Sequence, residues 1–167
     1  MRDETDGLLE AWQRERPDLD VAPLAVLSRV TRLARHLDRE RRAAFAEHGL
    51  ETYEFDVLSA LRRAGPPYEL TPGQLVRETL VGSGTMSNRL DRLAARGLID
   101  RRPDPEDGRA RRIRLTDQGR DHADAAMGDL LERERRLLGK LSEQDRGTLA
   151  ALLRTVLVHF EGDLIDA

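Results

Sequence analysis

The chain has 167 residues, of which 39% are apolar and 35% charged, with a formal net charge of −3. That length supports one domain with a sizeable core, and aromatics at 4% leave Leu, Val and Ala to build it, which favours helices. With no cysteine, disulfides, thiolate metal sites and cysteine nucleophiles are excluded. No apolar run approaches a membrane span, and the acidic start "MRDETDG" has no apolar segment behind it. A cytoplasmic protein with no membrane partner is therefore expected.

In chain order, "DGLLEAWQRERP" predicts a short helix stopped by Pro17. From Leu24, the apolar residues Leu27, Val30, Ala34, Leu37, Ala44 and Phe45 recur at helical spacing, with Gly49 as the end signal. "TYEFDVLSALRRAG" predicts the next helix, with Thr52 as its cap and Gly65-Pro66 as its stop. In "LTPGQLVRETL", Thr71 and Gln74 make a capping box and Pro72 suits the first helical position. After "VGSG", the segment "SGTMSNRLDRLAARG" opens with Ser83 as cap and closes at Gly97. Two short helices about a tight Gly-containing turn match a helix-turn-helix. "LIDRR" and "RARRIRLT" predict two strands turning at Asp107-Gly108, the only convincing β structure. Thr116 then caps a helix to about Leu138, and Ser142 caps a last one with an apolar stripe from Leu149 to Phe160.

Charge placement is uneven. Lys140 is the only lysine, so 27 of the 28 basic residues are arginine. A coding bias explains that total more simply than function does. Residues 83 to 120 nevertheless carry ten arginines against six acids, whereas residues 1 to 20 carry seven acids against three arginines. A positive surface on an acidic chain points to a polyanionic partner.

Catalytic chemistry is poorly supported. His36, His48, His122 and His159 fall on different predicted helices without metal-ligand spacing. The serines lack a nucleophile elbow, and "VGSG" is too short for a phosphate loop. No enzyme, metal or cofactor is expected.

On the helix from Gly84 to Arg96, a 100° wheel puts Met86, Leu90 and Leu93 inward. Gly84, Thr85, Asn88, Asp91, Arg92 and Ala95 fall outward, a face of small, polar and basic residues suited to a major groove. An ordinary solvated face is the plainer explanation of that wheel alone. The hairpin decides between them, because a helix-turn-helix followed by an Arg-rich hairpin is a winged-helix arrangement. The expected fold is mostly α, with one β-hairpin wing. The expected DNA contacts are Ser83, Thr85, Ser87, Asn88 and Arg92 on the helix and Asp107, Arg109 and Arg111 on the wing, with Asp107 holding Arg109.

"DGRARRIRLT" resembles the D-x-R-x-x-x-x-x-L-T wing signature of MarR-type transcriptional regulators, with Asp107, Arg109, Leu115 and Thr116 in the matching positions. The other predicted elements follow in that family's order over nearly the whole chain. The resemblance implies a homodimer on a pseudopalindromic double-stranded operator. Residues 1–50 would supply N-terminal dimerisation helices, 51–116 the DNA-binding lobe and 117–167 the C-terminal dimerisation helices. A single-chain core is the other explanation of the Leu149–Phe160 stripe.

An extra N-terminal helix carrying a Trp, with "RRAGPPY" and "SNRLDRL", is similar to the PecS/HucR branch, whose members leave DNA on binding urate or related purines. The branch's pocket residues match Trp12, Asp56, Arg89 and Arg101. That implies a repressor released by a small anionic effector. TamR-like regulators, which respond to trans-aconitate, share much of the pattern, so a carboxylate effector stays open. So does a ligand-blind architectural DNA binder. From the residues alone, Arg89 sits about 60° from the Met86–Leu93 face and needs a partner. An Asp56–Arg89 ion pair and a Trp12 hydrophobic clamp would account for those residues without a ligand.

Overall fold

The computed structural model describes residues 2–79, 81–104 and 111–165, with the side chains of residues 159 and 161–165 outside the description. Its elements are α1 (Glu4–Glu15), α2 (Ala22–Glu47), α3 (Thr52–Arg63), β1 (Glu69–Leu70), α4 (Pro72–Thr79), α5 (Ser83–Ala95), β2 (Ile99–Pro103), β3 (Arg111–Leu115), α6 (Asp117–Leu137) and α7 (Glu143–Ile165), with a 3₁₀ turn at Leu138–Lys140.

Local chemistry accounts for the boundaries. Thr71 and Gln74 form the expected capping box: the Thr71 amide donates to Gln74 Oε1 at 2.8 Å and the Gln74 amide to Thr71 Oγ1 at 3.2 Å. Thr116 and Ser142 cap α6 and α7, accepting from the Gly119 and Asp145 amides. Helices α2 and α5 end alike. Gly49 and Gly97 take positive φ of 64° and 69°, and the next amide bonds back to the Phe45 or Leu93 carbonyl. This is a Schellman closure, which an L side chain resists.

Two caps differ from expectation. α5 is capped by extended Gly82, whose carbonyl accepts from the Met86 amide; Ser83 lies inside the helix, where its hydroxyl cannot cap. α3 is capped at Glu51, because Glu54 reaches back to accept the Glu51 amide at 2.9 Å, and Thr52 is the first helical residue. The structure also adds a third strand. β1 pairs antiparallel with β3 through Glu69↔Arg114 and Leu70↔Ile113, giving the order β1-β3-β2.

By internal contacts the chain divides into two units, Met1–Met127 and Gly128–Ala167. The first holds a core of Phe45, Leu58, Leu61, Leu75, Met86, Leu93, Leu98, Ile99 and Ile113, all almost wholly buried. Phe45 and Phe55 stack with centroids 4.0 Å apart and join the end of α2 to α3. Each such side chain contributes about 1.5–3 kcal/mol by leaving water. The α2 stripe is divided. Ala44 and Phe45 are core, whereas Val26, Leu27, Val30 and Leu33 are exposed.

In the second unit the α7 stripe is exposed as well. Leu149, Leu152, Leu153, Val156, Leu157 and Phe160 are all exposed. No helix among the described residues is long and apolar enough to cross a membrane.

Candidate nucleic-acid interface and effector residues

Helix α5 is seated by Met86, Leu90 and Leu93, each 3% exposed or less. That inward stripe fixes the roll of the helix. Ser83, Thr85, Ser87, Asn88, Asp91, Arg92 and Ala95 are consequently exposed. Helix α4 precedes α5 in the chain, and β2 leaves from the Gly97 turn. The reader-like helix thus sits between a support helix and a hairpin.

Strands β2 and β3 pair in register from Ile99↔Leu115 to Pro103↔Arg111. Ile99, Ile113 and Leu115 are buried and root the hairpin in the core. Its arginines have different surroundings. Arg112 Nε donates to the buried Asp104 carboxylate at 2.8 Å. Arg114 faces Glu69 across the strands at 3.8 Å. Arg111 is exposed at the outer end of β3. Asp107 and Arg109 lie outside the described residues.

The four expected effector residues occupy four elements. Trp12 is on α1, 43% exposed. That helix is tied to α2 by Arg29, which donates to Asp3 at 2.8 Å and Asp6 at 2.7 Å, and by an Arg32–Glu4 pair. Asp56 on α3 is half-buried. Burial pushes its carboxyl above the usual carboxylate range, against the pull of Arg41, Arg89 and Arg63. Arg41 Nη2 lies 3.9 Å from Asp56 Oδ1. Arg89 is partly buried, as its wheel position requires, with its guanidinium over the Tyr53 ring at 5.1 Å. Arg101 on β2 donates to Asp91 on α5 at 2.5 Å. The fold thus brings Asp56 and Arg89 into one electrostatic field and turns Arg101 toward Asp91, while the ion pairs of α1 run to α2.

Two residues that sequence reasoning passed over organise this region. Tyr53 contacts Arg89 and also accepts a hydrogen bond from Arg92 Nη1 at 3.3 Å. Glu54 is buried and takes Arg96 Nη1 at 2.5 Å. The available signal is the i, i+3 spacing of Tyr53 and Asp56, which puts a phenol and a carboxylate on one side of α3.

A MarR family model matches residues 48–110, the span from the end of α2 into the hairpin. The transcriptional regulator PecS of Dickeya dadantii is 36% identical over 156 residues, covering 93% of this chain and 94% of PecS. The chain belongs to the MarR family of transcriptional regulators. Another relative, the transcriptional repressor NicR of Pseudomonas putida, is 29% identical over 83% of this chain and 89% of its own. Among solved structures, a MarR family regulator from Streptomyces coelicolor superposes with a TM-score of 0.69 at 26% identity, covering 86% of this chain and 98% of that one. A mutant MarR from E. coli gives the same TM-score and identity over 83% and 99%. This MarR-family protein is therefore a winged-helix transcriptional regulator and not an enzyme.

Proposed function

We propose that this regulator is a homodimeric repressor released from a pseudopalindromic duplex operator by a small anionic effector of the urate or purine type. The observation that carries the reading is the solvent face of α5 beside an arginine-bearing hairpin. Ser83, Thr85, Ser87, Asn88 and Arg92 offer donors and acceptors to base edges and phosphates. Arg111, together with Asp107 and Arg109, would supply the wing contact. Residues 51–116 form the DNA-binding lobe. Residues 1–50 and 117–167 dimerise, in keeping with the exposed apolar residues on α2 and α7.

The effector would bind among Trp12, Asp56, Arg89 and Arg101, clamped by two guanidinium groups against the indole. Support comes from the half-buried carboxyl of Asp56 in the field of Arg89, whose guanidinium lies over the Tyr53 ring. An anion drawing Arg89 away would strain α5 and lower DNA affinity, and DNA would lower anion affinity by the same factor. A tricarboxylate such as trans-aconitate is the second reading, favoured by the same paired arginines. The test is a gel shift on the DNA upstream of the coding sequence, with urate, xanthine, citrate and trans-aconitate. The proposal expects release by a purine anion and loss of that release in Arg101→Ala. Release by a carboxylate alone replaces the effector. Release unchanged in Trp12→Phe, Asp56→Ala and Arg101→Ala moves the pocket elsewhere.

A further inference from the structure

Tyr53 holds two arginines of α5 with two parts of one side chain. Its ring lies beneath the Arg89 guanidinium at 5.1 Å, and its hydroxyl oxygen accepts from Arg92 Nη1 at 3.3 Å. Residues 89 and 92 are about one turn apart on α5, so a single phenol spans both. Thr85 and Asn88 complete the walls of an open pocket of about 190 Å³ around this contact. Thr85, Asn88 and Arg92 also belong to the solvent face of the helix.

The choice of a phenol has a chemical consequence. Other arginines of the chain are held by carboxylates: Arg96 by Glu54, Arg101 by Asp91 and Arg62 by Asp124. A carboxylate orients a guanidinium but neutralises it, and a polyanion must then displace the acid. A neutral hydroxyl orients it and leaves the charge available. An unrestrained arginine loses rotamer freedom on binding. An arginine anchored at its tip has given up part of that freedom beforehand.

We propose that Tyr53 is a positioning residue for sequence readout, aiming Arg92 through its hydroxyl while that arginine keeps its charge. The inference rests on α5 being the helix that reads DNA. It places Tyr53 in control of the ratio between specific and non-specific binding rather than of gross affinity.

The test uses the full chain with Tyr53→Phe and Tyr53→Leu, titrated against the upstream duplex and a scrambled duplex of equal length at several salt concentrations. Tyr53→Phe is expected to lower the specific-to-scrambled ratio about 3- to 10-fold, the loss of one positioning hydrogen bond. The salt slope should not change, because no charge is removed. Tyr53→Leu, which also removes the ring, should lower the ratio further. A general loss of fold would weaken both duplexes together, and that result overturns the positioning role. An unchanged ratio in both Tyr53 variants, with a lower ratio in Arg92→Ala, overturns the role of Tyr53 and leaves α5 as the reader. Unchanged ratios in Arg92→Ala and Asn88→Ala as well overturn the reader assignment itself.

Discussion

Arg96, just past the end of α5, donates from Nη1 to Oε2 of Glu54 at 2.5 Å and from Nη2 to the Gly49 carbonyl at 2.8 Å. Glu54 is 3% exposed, and the same Oε2 accepts the Glu51 amide. One guanidinium therefore joins the end of α5 to the α2–α3 corner, where Phe45 and Phe55 stack. Arg96→Ala would leave a buried carboxylate without its cation and is expected to cost about 1–3 kcal/mol in urea unfolding. Arg96→Lys should recover only part, because an ammonium lacks the fork that reaches both acceptors. A loss below a few tenths of a kcal/mol in Arg96→Ala would show that the clasp is not structural.

Asp56 should make stability depend on pH in a definite sense. Its folded-state pKa is raised by burial, so the neutral acid suits the fold better than the anion does. The resulting stabilisation is fully present below the ordinary value of 3.8 and is lost as pH rises through the raised folded value. Asp56→Asn should therefore unfold at higher urea than wild type at pH 7, and the gap should close on acidification toward pH 4. A gap that widens on acidification would mean that the pull of Arg41, Arg89 and Arg63 outweighs burial.

The wing arginines should divide by role. Arg111 is exposed at the outer end of β3, whereas Arg112 is engaged with buried Asp104. Arg111→Ala is expected to weaken all duplexes and flatten the salt slope by about one unit, with the melting temperature unchanged. Arg112→Ala should lower the melting temperature instead. A thermal loss in Arg111→Ala with an unchanged salt slope would reverse the assignment.

The exposed stripe on α7 should govern association. Leu152 is 62% and Leu157 53% exposed. Sedimentation of wild type is expected to give a dimer, and Leu152→Glu with Leu157→Glu a monomer that binds DNA poorly. A double variant that still sediments as a dimer would place the interface elsewhere.

Much of the fold is legible locally. The Thr71–Gln74 capping box, the Ser142 cap and the closures at Gly49 and Gly97 are short-range chemistry, and each appears where the residues demand it. The buried stripe Met86, Leu90, Leu93 follows from helical period alone. Strand β1 is not legible, since two residues carry no periodicity and exist as a strand only because β3 passes beside them. The partners of charged side chains are equally hidden. Arg96 meets Glu54 across 42 positions and Arg92 meets Tyr53 across 39, and only the packing of α3 against α5 brings them together. The spacing of the α7 stripe likewise suits a core as well as an interface, so the sequence alone does not separate them.

The proposed function has the outer face of α5 reading duplex sequence. The direct measurement is an equilibrium titration of wild type, Asn88→Ala and Arg92→Ala against the upstream duplex, a scrambled duplex and the corresponding single strand, at two salt concentrations. Dimeric readers place their two helices about 34 Å apart, one turn of DNA. Wild type is therefore expected to protect adjacent-turn half-sites and to prefer the upstream duplex. Each substitution should lower that preference by about 1–3 kcal/mol, and only Arg92→Ala should also reduce the salt slope. Equal affinity for all three nucleic acids, or a preference untouched by both substitutions, would mean that the outer face of α5 does not read the duplex.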